Sequence, residues 1–516
     1  MKPFTKLATA VAVMFGLVSL SGPAQAADST VCSSGADFTT IQDAIDDDDT
    51  GDGDTITVCA ETFEPFTLNK RLYIKGAQAG VSACDRSGSE SVITDSTGNL
   101  IELQSGSAGS VIDGFHLSGG TNGIVSTTGP IDNLQILNNL IGSFTASGVF
   151  LNDNGDDITA ARNRIDGSSQ TGNGALFHLD QDIFDGFHFI DNCVVDGVNG
   201  VGFFVDGSRN VGVSATRAPL FSGNLIDGME ANSGVNIGRL AIEFATFTRN
   251  TFSNNEFDGL QGGPKGSLLD QNTFSNNGRA GLRFTGFGGT GDSARGAQSN
   301  TVTKNCFIDN GLGQTGGGGI RLDDQFPGTQ ATNTFRNNNI FDNTPGALNN
   351  SADDVTAEDN WWGAANGPSG DGSGSGDAVI GMAGGGSVDF DPFLTAEQPN
   401  TPCSTPPLTL DHFQCYDAWP KPKYGHVQVS LEDQFGLVNG VRVKWARKLC
   451  APVSKNGEPI SNPDAHLVCY QVKNAAKLKF LRVAITNQFG EEVLWLNKAR
   501  TLCVPSTKEV LPPHGR

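Results

Sequence analysis

The chain has 516 residues, with 56 Asp and Glu against 34 Lys and Arg, a formal net charge of −22, and 67 glycines. That length leaves room for more than one domain, and the acidic balance argues against nucleic acid, and against binding a bare polyanion unless calcium intervenes. The charge is unevenly spread: 17 Lys and Arg face 47 Asp and Glu over residues 27–403, but 15 face 9 over residues 404–516.

The first element is Lys2 and Lys6 followed by an apolar run from Leu7 to Leu20 and then Ala24-Gln25-Ala26, the layout of a cleaved export signal. It predicts maturation at Ala27 and a secreted protein, periplasmic or extracellular. No later run approaches the roughly 18 apolar residues of a membrane span, so no membrane span is expected, and ten cysteines suit an oxidising compartment.

Phe38-Thr-Thr-Ile-Gln-Asp-Ala-Ile45 places Ile41, Ala44 and Ile45 at helical spacing behind Thr39 or Thr40 as N-cap. Asp46 to Asp49, Asp52 and Asp54 follow. Read as a calcium loop from Asp48, they are broken by Thr50 at the third position and Cys59 at the twelfth, leaving a solvated turn or casual calcium binding as readings. Calcium is the one cofactor this sequence raises, and no metal site is assigned.

A phrase then recurs: Asn250-Thr-Phe-Ser-Asn-Asn, Asn272-Thr-Phe-Ser-Asn-Asn, Asn305-Cys-Phe-Ile-Asp-Asn, Asn338-Asn-Ile-Phe-Asp-Asn. Looser copies start at Asn139, Asn163, Asn192 and Asn224, and the last at Asn360; the shortest step, 22 residues, is one coil of a solenoid, and longer steps are coils with inserted loops. The third slot is apolar throughout (Ile141, Ile165, Val194, Ile226, Phe252, Phe274, Phe307, Ile340, Trp362). A short strand follows about ten residues on, as in Leu282-Arg283-Phe284 and Ile320-Arg321-Leu322. The repeated Asn must bond to the turn backbone or to its own copies, because an unpaired buried carboxamide costs roughly 1–3 kcal/mol. Glycine is expected at the sharp corners.

Cys193 and Cys306 share one slot but lie four coils apart. At ~4.8 Å per coil that is about 19 Å, beyond the ~7 Å reach of a disulfide. The expectation is two buried free thiols, with bridges among Cys32, Cys59 and Cys84 and within the C-terminal five. His116 and His188, in two Asp-Gly-Phe-His phrases about three coils apart, are too distant to share a metal and read as exposed strand residues.

The outward slot aligns Asn236, Gln261, Arg283, Arg321 and Asn349, with Asp323 and Asp324 nearby. This column is either an ordinary polar face or a saccharide groove. In a groove, arginine would neutralise a uronate or act as a base while carboxylates hold calcium. Trp361 is a candidate sugar platform, whereas Trp362 falls in the inward slot.

Gly53-Asp-Thr-Ile-Thr-Val58, Leu72-Tyr-Ile-Lys-Gly76 and Val111-Ile-Asp-Gly-Phe-His-Leu117 resemble the right-handed parallel β-helix superfamily. That superfamily includes pectate lyases, pectin methylesterases and NosD-like periplasmic proteins. Asn360-Trp-Trp-Gly363 and Val388-Asp-Phe-Asp-Pro392 resemble its closing coil, so the likeness covers roughly residues 30–394. The Asp-Pro-His-Asp signature of mannuronan epimerases and the Gly-His-Gly of polygalacturonases are missing, and no methylesterase motif is found.

Four prolines within residues 394–410 read as a linker. Beyond it, His412-Phe-Gln-Cys-Tyr416 returns as His466-Leu-Val-Cys-Tyr470, and Cys450-Ala-Pro as Cys503-Val-Pro. The two copies resemble a cysteine-framed twin-repeat module of exported bacterial proteins, with His412 and His466 as structural residues.

The sequence thus predicts an all-β chain: a signal (1–26), a right-handed parallel β-helix with a cap helix (27–394), a linker (395–410) and a small, duplicated, disulfide-bonded β domain (411–516). The functional expectation is a monomer binding extended polysaccharide or cell-surface glycan along one flank. The alternatives are a calcium-dependent lyase or glycoside hydrolase using Arg283, Arg321, Asp323 and Asp324, and a structural, adhesin-like surface protein.

Overall fold

A three-residue strand has too few ladder bonds to stand alone and persists only when stacked between copies of itself. The computed structural model has that stacking. It describes residues 28–152, 155–180, 185–206, 217–238, 242–285, 296–313, 316–323, 330–381, 385–399, 401–403, 413–418, 427–433, 436–453, 466–474, 477–487 and 490–506. The expected signal, Asp324 and His412 lie outside the described residues. The chain divides into two compact units, Met1–Ser404 and Thr405–Arg516.

In the first unit the coils build three parallel sheets, of 14, 11 and 13 strands among the described residues. One coil shows the plan: Leu268–Asp270 lies in the first sheet, Thr273–Ser275 in the second and Ala280–Phe284 in the third. Successive third-slot residues are direct register partners, from Ile141 and Ile165 through Phe252, Phe274 and Phe307 to Ile340. All are buried, and the Phe252, Phe274 and Phe307 rings stack with centroids 4.9 and 4.8 Å apart. The cap helix is Ile41–Asp46, with the Thr40 side chain accepting from the Asp43 N–H and with Ile41, Ala44 and Ile45 buried.

The repeated asparagines form a continuous ladder between the first and second sheets. Asn272 is representative: its N–H and Nδ2 donate to Asn305 Oδ1 at 2.8 and 2.9 Å, and Nδ2 also donates to Phe247 O. Its own Oδ1 accepts from the N–H and Nδ2 of Asn250. A second ladder runs Asn255, Asn277, Asn310, Asn343 and ends on the Asp377 carboxylate. Glycine takes many of the left-handed positions, as expected, but not the corner before the first ladder. The residue before each first-ladder Asn is left-handed, and apart from Gly223 it carries a side chain, as at Arg249 (φ 55), Gln271 (φ 57) and Lys304 (φ 53). The ladder bonds on the following residue outweigh the roughly 1–2 kcal/mol that this conformation costs an L-residue.

The disulfides correct the expectation for the paired slot. Cys193 and Cys306 are not joined to each other, but neither is free: Cys84 bonds Cys193, and Cys306 bonds Cys403. The distance argument holds between coils but omitted segments that run along the stack. The insertion over residues 76–90 does so, with the Ala83 N–H donating to Arg162 O and the buried Arg86 pairing with Glu90 and donating to the carbonyls of Phe115 and Asn138. Residues 394–399 and 401–403, expected as the start of a linker, likewise lie on the solenoid: Asn339 Nδ2 donates to Gln398 O and Thr401 Oγ1. Cys32–Cys59 closes the first coils.

In the second unit the strands Phe413–Asp417, Gly436–Pro452, His466–Lys473 and Thr501–Ser506 form an antiparallel sheet, with Gln428–Asp433 paired to the second of them. Each sequence copy closes its own cross-strand disulfide, Cys415–Cys450 and Cys469–Cys503. Lys477–Asn487 and Gly490–Lys498 form a separate hairpin. His466 is buried.

Candidate functional site

Outward residues of the third sheet fall into one file because each strand pairs in register with the next. The file runs Phe150, His178, Phe204, Asn236, Gln261, Arg283, Arg321, Leu348 and Ile380. Asn236, Gln261, Arg283 and Arg321 therefore stand together as expected. Asn349 does not join them. It pairs with inward Leu322, is fully buried, and donates to the carbonyls of Asp353 and Ser387. Trp361 is also elsewhere, bridged to Asn339 on the second sheet, and Trp362 is buried.

Three half-buried aromatic rings precede the amides, with centroids of Phe150 and His178 4.9 Å apart and of His178 and Phe204 5.0 Å apart. The spacing is that of the coils, so the rings make a continuous aromatic strip. Beyond them Asn236 has a buried side-chain Oδ1 without a hydrogen-bond partner among the described residues.

The cationic end is a network. Buried Asp258 pairs with Arg279, and Gln261 Oε1 accepts from Arg279 Nη2 at 3.0 Å and Arg283 Nη1 at 3.3 Å. Arg283 Nε lies 2.6 Å from Asp323 Oδ2 and Arg321 Nε 2.9 Å from the same oxygen, while Asn350 Nδ2 donates to Oδ1. Burial pushes the Asp323 pKa up, but Arg283 and Arg321 outweigh it and hold the carboxyl below its ordinary value. Among the described residues, three guanidiniums thus meet two carboxylates on a strongly acidic solenoid.

The other candidates do not converge. His116 lies in the second sheet and His188 in the first. Burial lowers the pKa of His116, opposed by Glu90 and reinforced by Arg86. The acidic run after the cap helix serves its turn: Asp47 accepts from the Asp49 N–H, Asp54 from Gly51 and Asp52 from Arg71. These residues do not fit a calcium cage, and among the described residues no cluster of three or more His, Cys, Asp or Glu side chains is placed to hold a metal.

Sequence reasoning missed Phe150, His178 and Phe204. The signal was there for two of them: Gly148-Val-Phe-Leu and Gly202-Phe-Phe-Val repeat the glycine-led phrase that marked Arg283, but an apolar outward residue hides in an apolar run.

The fold defines the first unit as a right-handed parallel β-helix. The family model described as a right handed beta helix region matches residues 174–361. No curated protein matches the chain. Among solved structures, the A-module of a mannuronan C-5 epimerase from Azotobacter vinelandii is 13% identical, covering 66% of this chain and 89% of its own at a TM-score of 0.39. The Dettilon tailspike protein is 10% identical, with 87% and 84% covered and a TM-score of 0.30. An alginate lyase solved with a trisaccharide is 15% identical, with 60% and 56% covered and a TM-score of 0.26. Likeness at this level fixes no chemistry for this chain.

Proposed function

We propose that this is an exported protein that binds an extended glycan along the outward face of its third sheet. The observation that carries the reading is the file itself: aromatic rings, then carboxamides, then guanidiniums, one per coil from Phe150 to Arg321. Six coil steps of ~4.8 Å give about 29 Å, enough for several sugar units in a row. Rings take the apolar faces of pyranoses, amides take their hydroxyls, and the three guanidiniums set against two carboxylates among the described residues favour an acidic polymer. Both guanidiniums are held by Asp323, whose fork of hydrogen bonds fixes them in place on the face.

The test is retention of the full chain on insoluble polysaccharides, acidic and neutral. Replacing Phe150 and Phe204 together by Ala is expected to weaken retention about tenfold, as for loss of a buried aromatic anchor. Retention unchanged by that pair of substitutions and by Arg283→Ala with Arg321→Ala would remove the groove. Ultraviolet-absorbing product released from polygalacturonate or alginate would replace binding by lyase activity.

A further inference from the structure

The second sheet carries an outward file of its own, Cys193, Leu225, Thr251, Thr273, Cys306 and Asn339, each the register partner of the next. Both of its ends are covered. The insertion over residues 76–90 lies against the coils up to Cys193 and is fastened there by Cys84. Residues 394–399 and 401–403 come from the opposite direction, over Asn339, and are fastened to Cys306 by Cys403. Cys306 and Asn339 are fully buried although they occupy outward slots, whereas Leu225, Thr251 and Thr273 between the two straps remain partly open.

This leaves a window three rungs long. At its Cys306 end is a cavity of about 430 Å³ lined by Arg249, Asn250, Thr251, Gln271, Thr273, Thr401 and Pro402, within the ordinary range of ligand pockets. Its chemistry is hydroxyls, carboxamides and one cation. Exposed Arg249 has no carboxylate partner among the described residues, and its Nε donates to Gln271 Oε1 at 3.3 Å. Arg279, Arg283 and Arg321 by contrast are all ion-paired. An unpaired guanidinium beside threonine hydroxyls suits an anion that also carries hydroxyls.

We propose that the window between the two disulfide-fastened straps is a second binding site, which takes a short acidic saccharide, a uronic acid or its dimer, with its carboxylate on Arg249. The straps stop a long chain from running through, so the site selects by length where the third sheet does not. The inference stands independently of the polymer groove.

Calorimetric titration of the full chain with digalacturonate, lactose and sodium sulfate tests it. Digalacturonate is expected to bind one to one and lactose and sulfate much more weakly. Arg249→Asn, which keeps a residue tolerant of the left-handed backbone there, should weaken digalacturonate about tenfold or more. Thr273→Val, of the same shape without the hydroxyl, should weaken it less. Phe150→Ala with Phe204→Ala should leave it unchanged, and Arg249→Asn should leave polymer retention unchanged, so the two sites fail separately. The proposal is overturned by no digalacturonate binding, by lactose or sulfate binding as tightly, by indifference to both window variants, or by loss in the Phe variant.

Discussion

Asn272, fully buried, donates from its N–H and Nδ2 to the next rung and accepts twice from the previous one. Asn272→Ala would strand the Asn250 N–H and one hydrogen of its Nδ2 inside the stack and take one donor each from Phe247 O and Asn305 Oδ1, the latter keeping the N–H of residue 272. The expected loss is about 3–5 kcal/mol, read from the denaturant or thermal transition of the first unit; a loss under ~1 kcal/mol would mean water replaces the rung. Asp377, the last rung of the second ladder, behaves differently. Burial raises its pKa, opposed by its bonds from Asn343. A carboxyl whose folded pKa is raised contributes stability that is full below its unfolded pKa, near ~3.9, and lost as pH rises through the folded pKa. Asp377→Asn is therefore expected to be the more stable form at neutral pH, with its advantage shrinking as pH falls toward that value. An advantage constant across the titration would refute the raised pKa.

The straps are the elements that the repeat concealed. Period and register made the ladder, the buried third slot and the cap helix legible, because each follows from residues whose neighbours in space are their counterparts one coil on. Cys84, Arg86 and Cys403 have no counterparts, and their partners lie along the stack. Asn349 failed for another reason. In Gly346-Ala-Leu-Asn the outward residue is Leu348, and choosing the polar neighbour slips the strand by one and reverses its face. The file from Asn236 to Arg321 was legible, while its aromatic half was not. Replacing both Cys84 and Cys193 by Ser should loosen the first strap alone, at a cost of about 2–4 kcal/mol. Amide exchange over residues 76–90 should rise while the Asn250 to Asn338 ladder stays protected. Uniform loss of protection along the solenoid would show that the strap holds the whole stack.

At the scale of the molecule, the ten cysteines pair within the two units and never between them: three bridges lie before residue 404 and two after. The units also differ in the origin of their stability. The solenoid gains its own by coil-on-coil stacking around a continuous core. The second unit is small, and each of its copies is closed by a cross-strand disulfide, as expected where apolar burial alone is marginal. Reductant should therefore act selectively. Calorimetry of the full chain is expected to give two transitions, reproduced by residues 27–404 and 405–516 made separately. Reduction should abolish the second transition and lower the first without removing it, because the Asn ladders and stacked phenylalanines remain. A single transition in the full chain that neither piece reproduces would mean that the units fold as one, and survival of the second transition after complete reduction would mean that its disulfides are dispensable.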